Sequence, residues 1–248
     1  MAGIGYLVEN DVELHPAGAA RLLDHNALVV ADLHLGCEAA LEYQGMSLPR
    51  MQTRKLRKVV MGLLDTLKPD KLIVAGDLKH NFSRNLTQEW NDVADFIRLI
   101  SAGVEVVVIR GNHDNYLGAI LSEFGMRLGS ELKLGRFRII HGHAGSIDGP
   151  TIMGHIHPSM SLEDEVGARV RRPCFLHHSE GSMLVLPALS IVSPGLDIMR
   201  TTPSAAVSPP LAGLGLDGFA PIVFCNDRPL VFPNVGAVRS SGGPTGQA

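Results

Sequence analysis

The sequence predicts an α/β protein in which short buried strands alternate with helices. Three observations support this: five short runs rich in Val, Ile and Leu, two longer segments with apolar residues at helical spacing, and glycines that punctuate them. Continuous apolar runs are typical of parallel strands buried on both faces. Strand–helix–strand alternation favours right-handed βαβ units in layers.

The five predicted strands each end next to a polar residue or a glycine. They are Ala27–Ala31, Leu72–Ala75, Val104–Ile109, Arg136–Ile140 and Thr151–Met153. In open α/β sheets the ligand crevice lies beyond the carboxyl ends of the strands. The residues that follow these five strands are therefore expected to share one edge.

Two helices are predicted between the strands. Apolar residues recur at helical spacing from Leu56 to Leu67, and Pro69 ends the pattern. Thr87–Ile100 has the same spacing, with Gly103 as its terminator. Both helices are expected to pack an apolar face on the sheet.

After residue 157 the pattern changes to short strands joined by polar turns. Two antiparallel pairs are predicted, Cys174–Leu176 with Met183–Leu186 and Pro221–Phe224 with Leu230–Phe232. A Pro-, Ser- and Gly-rich loop is predicted over residues 202–218. One domain is expected over residues 1–235, and residues 236–248 have the composition of a disordered tail.

Composition fits one globular enzyme domain. With 248 residues and 45% hydrophobic residues, the chain can bury a substantial core. The net charge of −3 gives no global sign of nucleic-acid binding, and 5% aromatic residues argue against extensive base stacking. Three scattered cysteines fit a reduced compartment. With no signal-peptide order at the N-terminus and no membrane span, a cytoplasmic protein is expected.

Potential metal ligands follow the predicted strands at every one of their ends. They are Asp32 and His34, Asp77, Asn112 with His113 and Asp114, His141 and His143, and His155 with His157. Carboxylate, carboxamide and imidazole groups form an oxygen and nitrogen set that suits Mn, Fe or Zn. The set is too large for one tetrahedral site. The sequence therefore predicts a two-metal hydrolase.

In chain order these residues form the motifs D-x-H, G-D, G-N-H-D, a histidine after a strand, and G-H-x-H. With them, the chain resembles the calcineurin-like metallophosphoesterases over Asp32 to His157, about half of its length. The resemblance implies the metallophosphoesterase fold, a layered sandwich of two mixed β-sheets flanked by helices. It also implies hydrolysis of phosphate esters by a metal-bound hydroxide.

The resemblance implies a ligand role for seven residues. Asp32, His34 and His157 would bind one metal, Asn112, His141 and His155 the other, and Asp77 would bridge the two. Mn is the ion that the resemblance favours, while the ligand chemistry suits Fe and Zn equally.

Catalytic roles are also implied by the resemblance. His113 would act as general acid or charge stabiliser, and Asp114 would orient it. The segment Gly76–His80 and the size of the chain look closest to small archaeal-type phosphoesterases related to the SbcD nuclease subunits. In those nucleases a histidine three residues after the bridging aspartate assists the chemistry, which singles out His80.

The remaining histidines are interpreted differently. Either His141 or His143 could be the ligand, and His141 is preferred because it directly ends its strand; His143 would then contact substrate or support a ligand. The other four, His15, His25, His177 and His178, lack a motif and are interpreted as structural or solvent-exposed.

Basic residues on and before the first helix allow two interpretations. Arg50, Arg54, Lys55, Arg57 and Lys58 would track phosphates in a nucleic-acid-binding protein, but a solvated helix face is favoured. Lys79 and Arg84 follow the bridging aspartate and are predicted to touch substrate.

Three functions are carried forward. The leading one is a phosphodiesterase, with DNA as a candidate substrate and hence a nuclease. The second is a phosphomonoesterase or nucleotide pyrophosphatase that acts on a small substrate. The third is a catalytically silent binding scaffold, against which the intact ligand set argues.

Overall fold

The fold is that of a computed structural model, which describes residues 5–43, 45–46, 51–81, 87–163, 166–193, 195–202 and 207–241. Within these ranges the strands are β1 (Tyr6–Val8), β2 (Val12–His15), β3 (Ala19–Leu22), β4 (Ala27–Val30), β5 (Lys71–Ala75), β6 (Glu105–Ile109), β7 (Leu128–Gly129), β8 (Glu131–Leu134), β9 (Phe137–Ile140), β10 (Thr151–Met153), β11 (Pro158–Glu163), β12 (Arg169–His178), β13 (Met183–Val185), β14 (Leu196–Asp197), β15 (Ala220–Cys225) and β16 (Arg228–Val231). The helices are α1 (Cys37–Tyr43), α2 (Gln52–Leu67), α3 (Thr87–Ile100), α4 (Leu117–Glu123), α5 (Pro209–Ala212) and α6 (Val235–Ser240).

The first sheet contains the three strands predicted before residue 110. Its strand order is β1-β2-β3-β4-β5-β6-β7. The predicted strands β4, β5 and β6 are parallel to one another, whereas β1 to β3 form an antiparallel meander that continues into β4. The sheet is therefore mixed, and its parallel part holds the buried apolar runs that the sequence shows.

The second sheet contains the later strands. The order along it is β14-β11-β12-β13-β10-β9-β8, and β15 joins it by pairing with β12. Strands β9 and β10 are parallel, as are β10 and β13. Both predicted antiparallel pairs are confirmed, because Leu176 pairs with Val185 and Ile222 pairs with Val231.

The two sheets pack face to face. Val29 and Ile73 from the first sheet lie in one buried apolar cluster with Ile139, Ile152 and Phe175 from the second. Burying an aliphatic or aromatic side chain of this size contributes about 1.5–3 kcal/mol, so this shared layer is a main source of stability. The predicted sandwich of two mixed sheets flanked by helices is confirmed.

Helices α2 and α3 cover the outer face of the first sheet. Leu56, Val60 and Leu63 of α2 are buried together with Val93 and Phe96 of α3. The predicted helix over Thr87–Ile100 is confirmed at both ends. Helix formation follows from these apolar stripes, which recur every three or four residues.

The basic residues of α2 lie away from the buried stripe. Arg54, Lys55 and Lys58 are exposed, and Arg57 approaches Asp95 of α3 at 3.8 Å. This is the placement expected of a solvated helix face. Arg50, which precedes α2, lies outside the described residues.

The C-terminal segment differs from its prediction. Val235 and Val238 of α6 are buried against the outer face of the second sheet. The Nε–H of Arg239 also donates to the Ile198 carbonyl at 3.1 Å. A disordered tail from residue 236 is therefore wrong for residues 236–241, because two apolar residues at helical spacing dock there; residues 242–248 lie outside the described residues.

An ion-pair cluster joins the two sheets at one side. The guanidinium of Arg136, in the β8–β9 turn, lies 2.6 Å from Oδ1 of Asp11 and 2.5 Å from Oε2 of Glu9. Both carboxylates lie in or beside the β1–β2 turn, and Glu9 also contacts His177 of β12 at 3.0 Å. In the part of the chain that the structure describes, no helix is long and apolar enough to cross a membrane.

Candidate metal centre

The predicted ligand residues lie at the carboxyl ends of strands from both sheets. The loops after β4, β5 and β6 bring residues 32–34, 77 and 112–114 from the first sheet. The loops after β9 and β10 bring residues 141 and 155–157 from the second. The sequence analysis expected all these residues to share the edge of one sheet. In the structure they come from the edges of both sheets.

One group of ligand types contains Asp32, His34, Asp77 and His157, whose candidate ligand atoms all lie within 4.8 Å of one another. Nε2 of His157 is 3.3 Å from Oδ1 of Asp32. Nε2 of His34 is 3.2 Å from Nε2 of His157 and 3.8 Å from Oδ2 of Asp77. A cation placed between these atoms would meet two carboxylates and two imidazoles.

A second group contains Asp77, His141 and His155. Nε2 of His141 is 3.4 Å from Oδ2 of Asp77, 3.1 Å from Nδ1 of His155 and 3.1 Å from Oδ1 of Asn112. Asp77 therefore belongs to both groups. Oδ2 of Asp77 lies near an imidazole nitrogen of each group, which makes Asp77 the candidate shared ligand.

The donor atoms fit divalent ions. Oδ1 of Asp32 is buried and accepts no hydrogen bond among the described residues, which is costly for a carboxylate unless a cation neutralises it. The mixture of carboxylate oxygens and imidazole nitrogens matches Mn, Fe or Zn. The buried orphan oxygen and the converging nitrogens make this the candidate metal centre.

Hydrogen bonds to residues around the centre fix which ring nitrogen faces the centre in three of the imidazoles. Nδ1–H of His141 donates to the Ala75 carbonyl at 2.9 Å, and Nε2–H of His155 donates to the Val207 carbonyl at 2.6 Å. Nδ1 of His157 hydrogen-bonds with Oγ of Ser193 at 2.5 Å. Such contacts orient metal-binding imidazoles and set their tautomers.

Five of the predicted ligands have left-handed backbone conformations. Asp32, His34, Asp77, His155 and His157 have φ between 46° and 75°. Each costs about 1–3 kcal/mol and persists where surrounding contacts enforce it, which is common at functional sites. The chain turns at these positions so that successive side chains point into the same space.

Gln52, which the sequence analysis missed, is one residue that enforces this conformation. Its buried side-chain amide donates to the carbonyls of Leu33 and His34 at 3.1 and 3.0 Å, and to Oγ of Ser190 at 3.1 Å. A glutamine at a helix start carries no motif, so no sequence signal could have found it.

Asp114 holds the backbone of two loops that carry predicted ligands. Its buried carboxylate accepts hydrogen bonds from the backbone N–H groups of Asp77 at 2.9 Å, Lys79 at 3.2 Å and Gly111 at 2.8 Å. Burial raises the pKa of this carboxyl to about 6. Asp114 thus ties the loops after β5 and β6 together, and its role in orienting the His113 imidazole stays a prediction.

His113 lies beside the shared carboxylate. Its backbone N–H donates to Oδ1 of Asp77 at 2.9 Å, and its Nε2 is 4.0 Å from Oδ2 of the same residue. Its Nδ1–H donates to the His80 carbonyl at 2.5 Å. The imidazole is therefore held at the edge of the centre with Nε2 directed inward.

His80 stacks next to His113, with ring centroids 5.7 Å apart. Its Nδ1 is buried and has no hydrogen-bond partner among the described residues. The backbone N–H groups of His80 and Asn81 donate to Oε1 of Glu89, in α3, at 3.0 and 2.6 Å. A buried carboxylate from a helix therefore positions the His80 loop.

Lys79 is not a substrate contact. Its side chain is buried, and Nζ lies 3.5 Å from Oε2 of Glu89. Successive residues in this extended loop point to opposite sides, so Lys79 enters the protein while His80 faces the centre. Arg84, the other predicted contact, lies outside the described residues.

His143 lies beside the second group but belongs to none of the three groups of ligand types found among the described residues, the third being His34, His80 and His113. Its ring centroid is 5.2 Å from that of His141 and 6.1 Å from that of His155. The histidines interpreted as structural lie away from the centre. Nδ1 of His15, for example, accepts a hydrogen bond from the Ala17 N–H at 3.1 Å.

The electrostatics of the centre differ from one imidazole to the next. Burial opposes ionisation of Asp77, but the hydrogen bond and charge of His141 hold the pKa of Asp77 below its usual range. Burial also opposes the charge on His141, yet the same hydrogen bond and Asp32 raise the pKa of His141 to about 9. Burial lowers the pKa of His34 to about 3 and that of His155 to about 4, so both offer neutral nitrogens.

Comparison with known proteins gives one family and 23 chains of solved structures, of which two are described here. The sequence profile of the family described as calcineurin-like phosphoesterase matches residues 25–173. The crystal structure of Pseudomonas putida nuclease MPE superposes with a TM-score of 0.67 and 22% identity, over 92% of this chain and 98% of that one. YfcE, a phosphoesterase from E. coli, gives a TM-score of 0.39 and 16% identity over 83% and 95%. No curated protein matches the chain.

Proposed function

Because the chain belongs to the calcineurin-like phosphoesterase family and is a metal-dependent hydrolase, we propose that it is a two-metal phosphodiesterase that cleaves DNA. The observation that carries the proposal is the position of Asp77, whose carboxylate belongs to both groups of ligand types. Nuclease activity is also what the name of the structurally similar Pseudomonas putida protein states.

Seven residues hold the ions in this proposal. Asp32, His34 and His157 bind one, Asn112, His141 and His155 bind the other, and Asp77 bridges them. Two divalent ions bound here would activate water and neutralise charge on the phosphoryl oxygens. We propose Mn as the activating ion, with Fe and Zn suited to the same ligands. Asn112 contributes a neutral oxygen, which leaves the loaded site cationic enough to attract phosphate.

Protonation of the leaving oxygen is assigned to His113. Its Nδ1–H is directed to the His80 carbonyl, so Nε2 is the nitrogen that faces the centre. An imidazole carries a transferable proton near neutral pH and suits the departure of an alkoxide. His80 is stacked beside it and is assigned to assist at the same leaving group.

A diester is preferred over a monoester because two imidazoles are available at the leaving-group side. The alkoxide that leaves a DNA diester is a strong base and needs a proton or charge screening.

The second candidate function, a phosphomonoesterase or nucleotide pyrophosphatase, is favoured by the near-neutral charge of −3. The described residues contain no separate domain that caps the centre. The convergence of all seven candidate ligand residues argues against a catalytically silent scaffold.

The testing experiment assays the Mn-loaded protein against bis-p-nitrophenyl phosphate, p-nitrophenyl phosphate and single-stranded DNA, with EDTA-treated protein as control. The proposal expects Mn-dependent cleavage of the aryl diester and of DNA. Cleavage of the monoester alone would favour the small-substrate function. Equal activity with and without EDTA would contradict the two-metal proposal.

A further inference from the structure

A cleft of about 540 Å³ opens next to the metal centre, on the side of His157. Its boundary includes the loop that follows β13, the middle of β12 and the turn between β2 and β3. Backbone hydrogen bonds hold this loop to the end of β4, from Leu189 to Ala31 at 2.9 Å and from Ser190 to Asp32 at 3.0 Å. The cleft is thus built from the same backbone that carries the ligands. Its volume lies in the range of small-ligand sites.

The inner wall of the cleft is apolar and partly aromatic. Phe175 and Phe224 both line it, with ring centroids 6.1 Å apart in an edge-to-face arrangement. Pro187 and Leu189 complete this wall. Phe175, Pro187 and Leu189 are buried, whereas Phe224 is half-buried, so the Phe224 ring is the aromatic surface in this wall that can accept the flat face of a nucleobase.

One cation is fixed at the polar side of the cleft. Nε–H of Arg171 donates to Oγ of Ser159 at 2.7 Å, and Nη2 donates to the Gly195 carbonyl at 2.5 Å. Gly195 packs directly on the backbone of His157, since a Cβ at Gly195 would lie 2.1 Å from the His157 carbonyl oxygen. The guanidinium of Arg171 is therefore positioned by Ser159 and by Gly195, which packs on the backbone of the predicted ligand His157.

The charge of Arg171 is available for an anion. Among the described residues, Arg171 forms no ion pair with a carboxylate, and its hydrogen bonds are made by Nε and Nη2 rather than by Nη1. Arg169, two residues earlier on the same strand, instead lies 2.6 Å from Oε2 of Glu163. A guanidinium that is held by neutral groups keeps its full charge and presents the fork that binds phosphate oxygens.

We propose that this cleft binds the nucleotide next to the scissile phosphate of a single-stranded nucleic acid. Arg171 binds the flanking phosphate, and the half-buried ring of Phe224 packs on the base. The inference rests on the proposed phosphodiesterase function and adds a subsite that selects polymeric over small diesters. DNA and RNA present the same phosphate and base chemistry to it.

The first test compares Arg171→Gln with Arg169→Gln, which removes the same charge from the same strand outside the cleft. Binding of a fluorescent single-stranded DNA oligonucleotide to the metal-free protein is measured by fluorescence anisotropy over a salt series. Arg171→Gln is expected to weaken binding about tenfold and to reduce the salt slope by about 0.7, the value for one phosphate contact on a single strand. Equal effects of the two substitutions would overturn the proposal.

The second test uses a pair of exposed neighbours that leaves the Arg171 contacts intact. Ile191 lines the cleft and is 50% exposed, while Val192 is 46% exposed and does not line it. Ile191→Asp places a negative charge where the nucleotide would lie and is expected to weaken oligonucleotide binding, whereas Val192→Asp is not. An RNA oligonucleotide of the same length is measured in parallel, and a selective loss with either polymer supports the proposal.

Kinetics separate this inference from the proposed function. With Mn, Arg171→Gln is expected to raise KM for the oligonucleotide about tenfold and to leave KM for bis-p-nitrophenyl phosphate unchanged, because that ester has no flanking nucleotide. An equal change for both substrates, or for neither, overturns the cleft as a nucleotide subsite. If the parent protein hydrolyses no diester while Arg171→Gln still weakens oligonucleotide binding selectively, the phosphodiesterase proposal fails and the cleft is supported.

Discussion

Asp32 and His155 join the two sheets at the metal centre, because the backbone N–H of His155 donates to Oδ2 of Asp32 at 2.9 Å. One carboxylate oxygen of Asp32 thus fixes a loop of the second sheet. The other, Oδ1, remains buried without a hydrogen bond and faces Nε2 of His157. The same side chain thus holds the loops together and leaves one oxygen for a candidate ion. Binding of an ion at Oδ1 would therefore be coupled to the relative position of these loops.

Asp77→Asn is expected to weaken binding of both ions. The substitution keeps the shape of the side chain, and asparagine tolerates the left-handed backbone found at this position, but it removes the negative charge that both ions would share. Metal content measured by elemental analysis should fall from two ions per chain. Asp65→Asn, on the exposed side of α2, is the control and should retain both ions. One tight site that Asp77→Asn leaves unchanged would refute the two-metal arrangement.

His113→Ala separates chemistry from metal binding. The variant should keep its metal content and lose about 10²–10⁴-fold in turnover if His113 donates a proton or stabilises charge. His155→Ala should instead lose metal, because it removes one of the nitrogens that face the centre. The measurements are metal content and kcat on the same preparations. Equal metal loss in both variants would make His113 a ligand or a structural residue.

His80→Ala tests the diester preference. We expect this variant to lose more activity on single-stranded DNA than on p-nitrophenyl phosphate, since p-nitrophenolate departs readily without an acid. The ratio of the two rates, relative to the parent protein, is the measurement. His25→Ala is a control for loss of an exposed histidine far from the centre. Cleavage of DNA by His80→Ala at the parental rate would show that His80 takes no part in the reaction.

Asp114→Ala should destabilise the fold. It leaves the buried N–H groups of Asp77, Lys79 and Gly111 without their acceptor, and an unsatisfied buried group costs about 1–3 kcal/mol. We expect the free energy of unfolding in urea to fall by about 3 kcal/mol in total. Asp148→Ala, at an exposed position, is the control. A fully stable Asp114→Ala variant with reduced turnover would instead support the predicted role of Asp114 in orienting His113.

Arg136→Ala should lower stability in a pH-dependent way. The hydrogen bond from Arg136 holds the pKa of Asp11 below its usual value of 3.8, and the pKa of Glu9 is also lowered, by His177 and Arg136 against the effect of burial. Carboxylates with depressed pKa values add stability above their unfolded values, and this contribution is lost as pH falls through the folded ones.

We therefore expect Arg136→Ala to cost about 1 kcal/mol at pH 7, a modest figure because the groups are partly exposed. The difference from the parent protein should shrink as the pH falls below about 4. Urea unfolding at several pH values measures it, with the exposed Arg54→Ala as control. A difference that is constant from pH 7 to pH 3 would show that the ion pairs contribute nothing.

Much of the fold followed from local patterns. The buried runs that became β4, β5, β6, β9 and β10 are continuous in sequence, so their position and type could be predicted. The meander β1 to β3 was not predicted, since its strands are short and polar residues such as Glu13 and Arg21, which are not buried, interrupt their apolar residues. The docking of α6 was missed because it depends on two apolar residues, Val235 and Val238, within a segment of small and polar residues.

The sequence by itself determined which residues are ligand types and where they lie in the chain, because each follows an apolar run whose end can be read locally. Tertiary structure decided what those residues contact. Gln52 is tied to the His34 loop, Glu89 to the His80 loop and Asp114 to the backbone of Asp77 across 18, 9 and 37 residues of chain. Such pairings arise from how the helices and the two sheets pack, and a hydrogen bond between distant residues leaves no periodic or local signal in the sequence.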